Sequence, residues 1–564
     1  MEEKNFKRYK HLIENIEQWP IYKFAQKRTE FVKKVSFEVF QYYASVSSDE
    51  IDQTLSKAIY QEKQRIKTNP WKADPANQAQ FFRKLQNEYN ENQLIKTKNK
   101  ANLDTCFKLI KRYADEITGN FNVNTFRFVR KLSTIIFYGI FFRNGFLSFS
   151  SFTKRENKLQ NKLKINGHIE EVRHLFNKHT FIFVPTHSSN LDSIIAGYTI
   201  DLIAGLPAFS YGAGLNLFDS EFFAFFMNRL GAYKVDRRKK NQIYLQTLNY
   251  YSKLSIIEGV NTIFFPGGTR SRSGEVEGKL KLGLLSSLIL AQRDLLEVGS
   301  DRKIIVVPIV LTYESVLEAR TLMLQHLRNS GQEKYTGRER ASSFGKYIHF
   351  LKRLIGQESA FYMSFGKSID VFGNEINELG ESIDQHGNKL DLKHYFLRNN
   401  KIEYDTQREG IYTRELGEKI ALQYKKYNYI LPCHLVAFSA FQLLKQLNPG
   451  HDMVSLVQLP EDDFIFPNHA FKLTCEQVRT KLFAWADEGK IIYPDQLEGD
   501  ISEIISKGIT SLGIFHIKRP LTFDEFDRLV SDDFIALLYY HNKFENLNLA
   551  EEIDWHLILK DPGN

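Results

Sequence analysis

The chain has 564 residues, enough for two to four domains with a core in each. It is 43% hydrophobic and 25% charged, which excludes a disordered chain and fits a folded one. A formal charge of +9 suits phosphorylated small molecules, acidic carrier proteins or anionic lipid surfaces. Nucleic acid would also welcome it, but no basic–aromatic module is present, so nucleic acid is not an expected partner.

Residues 1–175 read as a helical N-terminal region. Its opening, MEEKNFKRYK, is charged and lacks the apolar core of a secretory signal. Residues 27–46 and 47–67 carry helical periodicity, and 68–78 form a Pro/Asn-rich break. The polar stretch 84–102 is expected as an exposed helix or linker. The run LSTIIFYGIFF (132–142) is too short to reach the ~20 apolar residues of a spanning helix. Flanked by Arg127, Arg130, Lys131 and Arg143, it reads either as a buried core helix or as a segment lying in a membrane surface.

The texture changes over 176–330. Short apolar runs at 179–187, 231–238, 261–274 and 303–315 alternate with helical patterning at 190–205 and 280–297. This alternation predicts an α/β core domain with a mainly parallel sheet and flanking helices. In such sheets ligands bind beyond the carboxyl ends of the strands, and each charged motif here follows a strand. Residues 331–410 read as an irregular connecting region. Helices return in a C-terminal region, 411–564, with clear patterns at 433–447 and 474–491. Cys106, Cys433 and Cys475 stand far apart without CxxC spacing, so neither a disulfide framework nor a metal site is expected, and the cytoplasm is the natural compartment.

Three turns carry candidate chemistry. PTHSSNLDS (185–193) places His187 after a strand and Asp192 about one turn into a helix that Ser188, Ser189 or Asn190 is expected to cap. An aspartate there can hold one imidazole nitrogen and leave the other free to take a proton. The bland reading is a surface histidine beside a capping cluster. The same H-x4-D spacing recurs at His386/Asp391, in a Gly/Asn loop with no preceding strand, and at His556/Asp561, in a terminal segment with nothing downstream expected to build a site. In GAYKVDRRKK (231–240), Arg237, Arg238, Lys239 and Lys240 form either a solvated run or a strand end delivering one arginine to an anion while its neighbours face water. In FFPGGTRSRSG (264–274), paired glycines permit close backbone approach, and Arg270 and Arg272 offer guanidinium forks suited to phosphate.

With these blocks in view, the chain resembles the glycerolipid acyltransferases, and within them the large bacterial glycerol-3-phosphate acyltransferases. His187 to Asp192 matches the family's H-x4-D block, Gly231 to Arg237 its second block, and Phe265 to Arg272 its F-P-E-G-T-R-S block. Pro308 with Tyr313 and Glu314 is similar to the fourth block, and Lys281 with Gly283 to a lysine–glycine pair of the large enzymes. Two departures stand out: Gly267 replaces the usual glutamate, so that carboxylate's role is absent or moved, and Lys234 replaces an aromatic, which is expected to alter the pocket wall.

The resemblance implies transfer of a fatty acyl group from an acyl-coenzyme A or acyl carrier protein thioester to the sn-1 hydroxyl of glycerol 3-phosphate, giving lysophosphatidate. It assigns His187 as base and Asp192 as its orienting partner. Arg237, Arg270, Arg272 and Lys281 would bind the acceptor phosphate, with Gly267, Gly268 and Pro308 shaping the site. The glycine-rich turn or the helix start would supply N–H donors to the oxyanion. No cofactor, metal or covalent acyl-enzyme is implied, and a peripheral position on the cytoplasmic face of the cell membrane is expected. Dihydroxyacetone phosphate or lysophosphatidate as acceptor, and a catalytically silent lipid-binding protein, are the alternatives.

Overall fold

Seven strands build one sheet in the computed structural model: β1 (Leu163–Gly167), β2 (Thr180–Pro185), β3 (Ser210–Gly214), β4 (Ala232–Val235), β5 (Thr262–Ile263), β6 (Ile304–Tyr313) and β7 (Phe361–Phe365). The structure describes residues 8–71, 74–142, 152–214, 221–329, 360–460, 463–514, 516 and 518–560. The strand order is β1-β7-β6-β2-β5-β3-β4, and every pairing is parallel except β6 with β7. The expected α/β core with a mainly parallel sheet is thus present.

β2 and β6 are buried along their whole length, which is why both read as unbroken apolar runs rather than alternating ones. Their side chains alternate between two cores. Phe181 and Phe183 of β2, with Ile305, Val307, Ile309 and Leu311 of β6, face the core shared with the C-terminal helix Pro432–Leu447. Ile182 and Val184, with Ile304, Val306 and Val310, face the core under helices Leu282–Glu297 and Thr406–Lys426. A third core joins helices Arg28–Ala44, Ser48–Thr68 and Lys98–Ile117 to the sheet-flanking helix Gln242–Ile257.

The sheet reaches beyond residues 176–330, because β1 precedes that stretch and β7 follows it. β1 (LKING) and β3 (SYGAG) are short and polar or glycine-rich, so neither carries a strand's apolar signature. β5 is only two residues long because the chain breaks at Pro266-Gly267-Gly268. The 84–102 stretch is split between helices Gln78–Asn92 and Lys98–Ile117. Residues 331–359 of the connecting region lie outside the described residues, as does Arg143 beside the apolar run. The apolar run 132–142 falls in helix Val123–Phe141, which buries Phe137, Tyr138 and Phe141 yet leaves Phe128 and Ile135 exposed. Among the described residues no helix is long and apolar enough to cross a membrane.

The N-terminal helices are tied to the core by a buried ionic cluster, and this revises the 237–240 run. Arg238 does not face water: its Nη2 donates to Asp74 Oδ1 at 2.6 Å and to Asp236 Oδ2 at 2.8 Å. Lys239 is buried and ion-paired with Glu116, which also accepts from Arg112 Nε at 2.8 Å. Arg65 joins Asp74 to Glu62 at 3.0 Å each. Lys234, expected in the pocket wall, instead lines a small recess with Asp74, Glu116, Asp236 and Lys239. A cluster of this kind resists removal of any one member, because the remaining charges are left enclosed and uncompensated. Asp74→Ala is therefore expected to destabilise docking of the N-terminal helices by on the order of 3 kcal/mol. The measurement is the unfolding midpoint together with proteolytic cleavage across 68–78; an unchanged midpoint and unchanged cleavage would show the cluster to be energetically neutral.

Candidate active site

Because β2, β4, β5 and β6 run parallel, their carboxyl ends open on one edge of the sheet. His187 follows β2, Arg237 follows β4, and the Pro266-Gly267-Gly268 turn follows β5. These three turns meet at one cavity of about 190 Å³, lined by His187, Asn190, Ser193, Arg237, Phe265, Gly268, Thr269, Arg270 and Arg272 among others. The sheet brings together residues 85 positions apart (Arg272 minus His187) that share no local contact in sequence.

His187 and Asp192 form a hydrogen-bonded pair, Nδ1 to Oδ2 at 2.7 Å. Asp192 is wholly buried, and the same Oδ2 accepts the N–H of Ser188 at 2.6 Å and of Ser189 at 2.8 Å. Its Oδ1 accepts the Tyr313 hydroxyl at 2.5 Å. Four donors thus compensate an enclosed carboxylate and fix which imidazole nitrogen it holds. His187 Nε2 has no hydrogen-bond partner among the described residues, and the ring leans on Phe265 with centroids 4.5 Å apart. Asp192 also revises the expected capping: Leu191 is the N-cap and makes no side-chain cap bond, and the loop N–H groups turn to the Asp192 carboxylate instead. At His386/Asp391 no such contact forms among the described residues. Asp391 caps its own turn by accepting the Lys393 N–H at 2.9 Å, and Asp561 lies outside the described residues.

Three of the four candidate phosphate ligands reach the cavity. Arg237 and Arg272 carry no hydrogen bond or ion pair among the described residues, and Arg270 stands 3.8 Å from Glu318. Burial lowers Arg237 below the usual guanidinium range, but a guanidinium remains charged at neutral pH. Lys281 is exposed and does not line the cavity; its N–H donates to Pro266 O at 2.7 Å, closing the turn. Gly268 lines the cavity with φ +81°, a backbone conformation that other residues adopt only under strain. Gly267 and Pro308, expected to shape the site, are not among the residues that line the cavity. Pro308 O accepts the Gly366 N–H at 2.8 Å, just past the end of β7.

The supply of N–H donors is narrower than expected. Those of His187 to Leu191 are all taken, by Glu277, Asp192, Glu318 and Ser189 Oγ. Ser193 at the helix start, and Thr269 and Arg270 in the glycine-rich turn, line the cavity with no acceptor for their N–H among the described residues. Three residues that support the site had no assigned role from sequence. Tyr313 holds Asp192. Glu318, pushed up by burial, accepts from Ser189 Oγ at 3.1 Å and Asn190 N–H at 3.2 Å. Glu277 accepts the His187 N–H at 3.1 Å. The only sequence signal was for Tyr313, which stands in the fourth block; the two glutamates act across 90 and 128 residues.

Residues 163–312 match the family model of the acyltransferase domain. The glycerol-3-phosphate acyltransferase of Pseudomonas paraeruginosa (strain DSM 24068 / PA7) is 30% identical over 263 residues, 46% of this chain and 27% of its own length. That of Pseudomonas putida (strain W619) is 32% identical over 218 residues, 38% of this chain and 24% of its own. The similarity to these relatives thus spans about a quarter of their length. The matched family model covers the strands and turns that build the cavity. Residues 163–312 therefore carry an acyltransferase domain.

Proposed function

We propose that this protein transfers a fatty acyl group from an acyl thioester to the sn-1 hydroxyl of glycerol 3-phosphate, giving lysophosphatidate. One observation carries the reading: an imidazole oriented by a buried carboxylate shares a cavity with three arginines that have no strong partner of their own. The base needs a proton donor within reach, and the arginines need an anion. A small phosphorylated alcohol satisfies both, and the modest cavity volume suits an acceptor of that size. The similar proteins named glycerol-3-phosphate acyltransferase add support.

The chemistry follows from the geometry. His187 Nε2 takes the hydroxyl proton while the oxygen attacks the thioester carbonyl, and Asp192 stabilises the imidazolium without taking the proton itself. Ser193, Thr269 and Arg270 N–H groups are the available donors for the tetrahedral oxyanion. Collapse breaks the carbon–sulfur bond, and the imidazolium returns its proton to the departing thiolate. Acyl-coenzyme A and acyl carrier protein both present such a thioester. Membrane contact, on the cytoplasmic face, is read from the exposed Phe128, Ile135 and Phe225 beside Arg127 and Lys131.

His187→Ala is expected to lower kcat by about 10²–10⁴-fold in labelled acyl transfer while the chain stays folded. A variant transferring at the parent rate would remove His187 as base and favour a silent lipid-binding protein. Arg237→Ala and Arg272→Ala should each raise KM for glycerol 3-phosphate by roughly tenfold or more, the cost of one charge-assisted contact. Faster turnover on lysophosphatidate or dihydroxyacetone phosphate would reassign the acceptor. Tyr313→Phe should reduce kcat by about tenfold and leave acceptor KM unchanged, since it strips one donor from Asp192. Flotation with anionic vesicles at low salt tests the membrane contact, and a chain that stays at the bottom of the gradient argues against it.

A further inference from the structure

The peptide of His187 is gripped from both sides by a single loop. Its carbonyl oxygen accepts the Ser271 N–H at 2.7 Å, and its own N–H donates to Glu277 Oε1 at 3.1 Å. Glu277 reaches this position through the space beside Gly267. A Cβ built on Gly267 would lie 2.4 Å from Glu277 Oε1 and 2.5 Å from its Cδ, distances that no real side chain tolerates. Gly267 is not among the residues with positive φ, so what glycine supplies there is room rather than conformational freedom.

The carboxyl it makes room for is held in a costly place. Glu277 Oε2 is shut off from solvent and has no hydrogen-bond partner among the described residues. Burial pushes the carboxyl up to about 8, with Asp192 adding to the rise and the His187 N–H and Lys543 opposing it. Lys543, from the C-terminal region, is in turn lowered by burial to about 8. An acid in such surroundings needs a reason to be there.

We propose that Glu277 is a positioning residue for His187, and that Gly267 and Glu277 act as one steric unit whose carboxyl anchors the backbone of the catalytic histidine. The carboxyl missing from position 267 is thereby replaced in space by one delivered ten residues later. The inference rests on the acyl-transfer reading for its kinetic test only; the placement has a test of its own.

Five chains decide it: wild type, Glu277→Ala, Glu277→Gln, Gly267→Ala and the double variant Gly267→Ala/Glu277→Ala. Glu277→Ala should lower kcat about tenfold or more with acceptor KM unchanged, and Glu277→Gln, which keeps an oxygen for the His187 N–H, should recover most of the loss. Gly267→Ala should lower kcat similarly, because the new methyl displaces the carboxyl. The double variant should be no worse than Glu277→Ala alone, since the clash disappears with the carboxyl. Amide hydrogen exchange in the peptide containing His187 should quicken about tenfold in Glu277→Ala and Gly267→Ala but not in Glu277→Gln. Losses that multiply in the double variant, or exchange and kcat unchanged in Glu277→Ala, overturn the proposal. A wild-type chain with no transferase activity would count against the acyl-transfer reading alone, and the exchange pattern would still decide the placement.

Discussion

The Asp192 carboxylate is the constraint on which the site depends. It is enclosed, so its charge must be met by donors, and it meets four: one imidazole, two loop amides and one tyrosine hydroxyl. Each donor comes with a structural consequence. The two amides fix the path of the chain between β2 and the following helix. Tyr313 is available only because β6 runs four residues beyond its last pairing with β2, at Ile309, and so reaches under the turn. The imidazole is left with one nitrogen committed and one free. A single buried carboxylate therefore ties together loop shape, the reach of β6 and the orientation of the His187 ring.

The positive charge of the chain is divided between two tasks, and the division runs through adjacent residues. Arg237 lines the cavity, while Arg238 and Lys239, one and two positions on, are sealed into ion pairs with Asp74 and Glu116. The paired residues anchor the N-terminal helices to the end of β4, the same strand end that presents Arg237. Holding the flanking residues rigidly lowers the entropy lost when Arg237 closes on an anion. An arginine for a ligand and an arginine for a scaffold have the same sequence signature; only the partner supplied by a distant helix distinguishes them.

That distinction marks what could be read from sequence. His187, Asp192, Arg237, Arg270 and Arg272 were legible because each follows an apolar strand directly, and parallel strands must deliver their ends to one edge. β2 and β6 were legible because burial on both faces leaves an uninterrupted apolar run. β3 was not, since SYGAG has neither alternation nor β-branched residues and is a strand only because its neighbours pair with it. Glu277 and Glu318 were invisible for a related reason: a glutamate in a polar loop looks solvated until a partner far along the chain encloses it. Lys281 shows the converse, a residue in the expected position whose side chain stays outside the cavity wall.

The C-terminal region, which carries no motif of its own, acquires a role from the same logic. Asn542 Nδ2 donates to Ser273 O at 2.8 Å and Asn546 Nδ2 to Val276 O at 3.1 Å, so two side chains pin the loop that holds Glu277. Tyr540 accepts the Val316 N–H at 2.8 Å, bracing the segment between Tyr313 and Glu318. Gly274 passes so close to Tyr539 that an added Cβ would lie 2.0 Å from its carbonyl oxygen. Two segments behind the cavity, 273–276 and 313–318, are thus backed by one helix and the turn after it, Phe534–His541 and Asn542–Leu547. The open edge of a parallel sheet gives its loops no ladder to rest on, and here a wall of buried aromatics and amides supplies the missing support from behind.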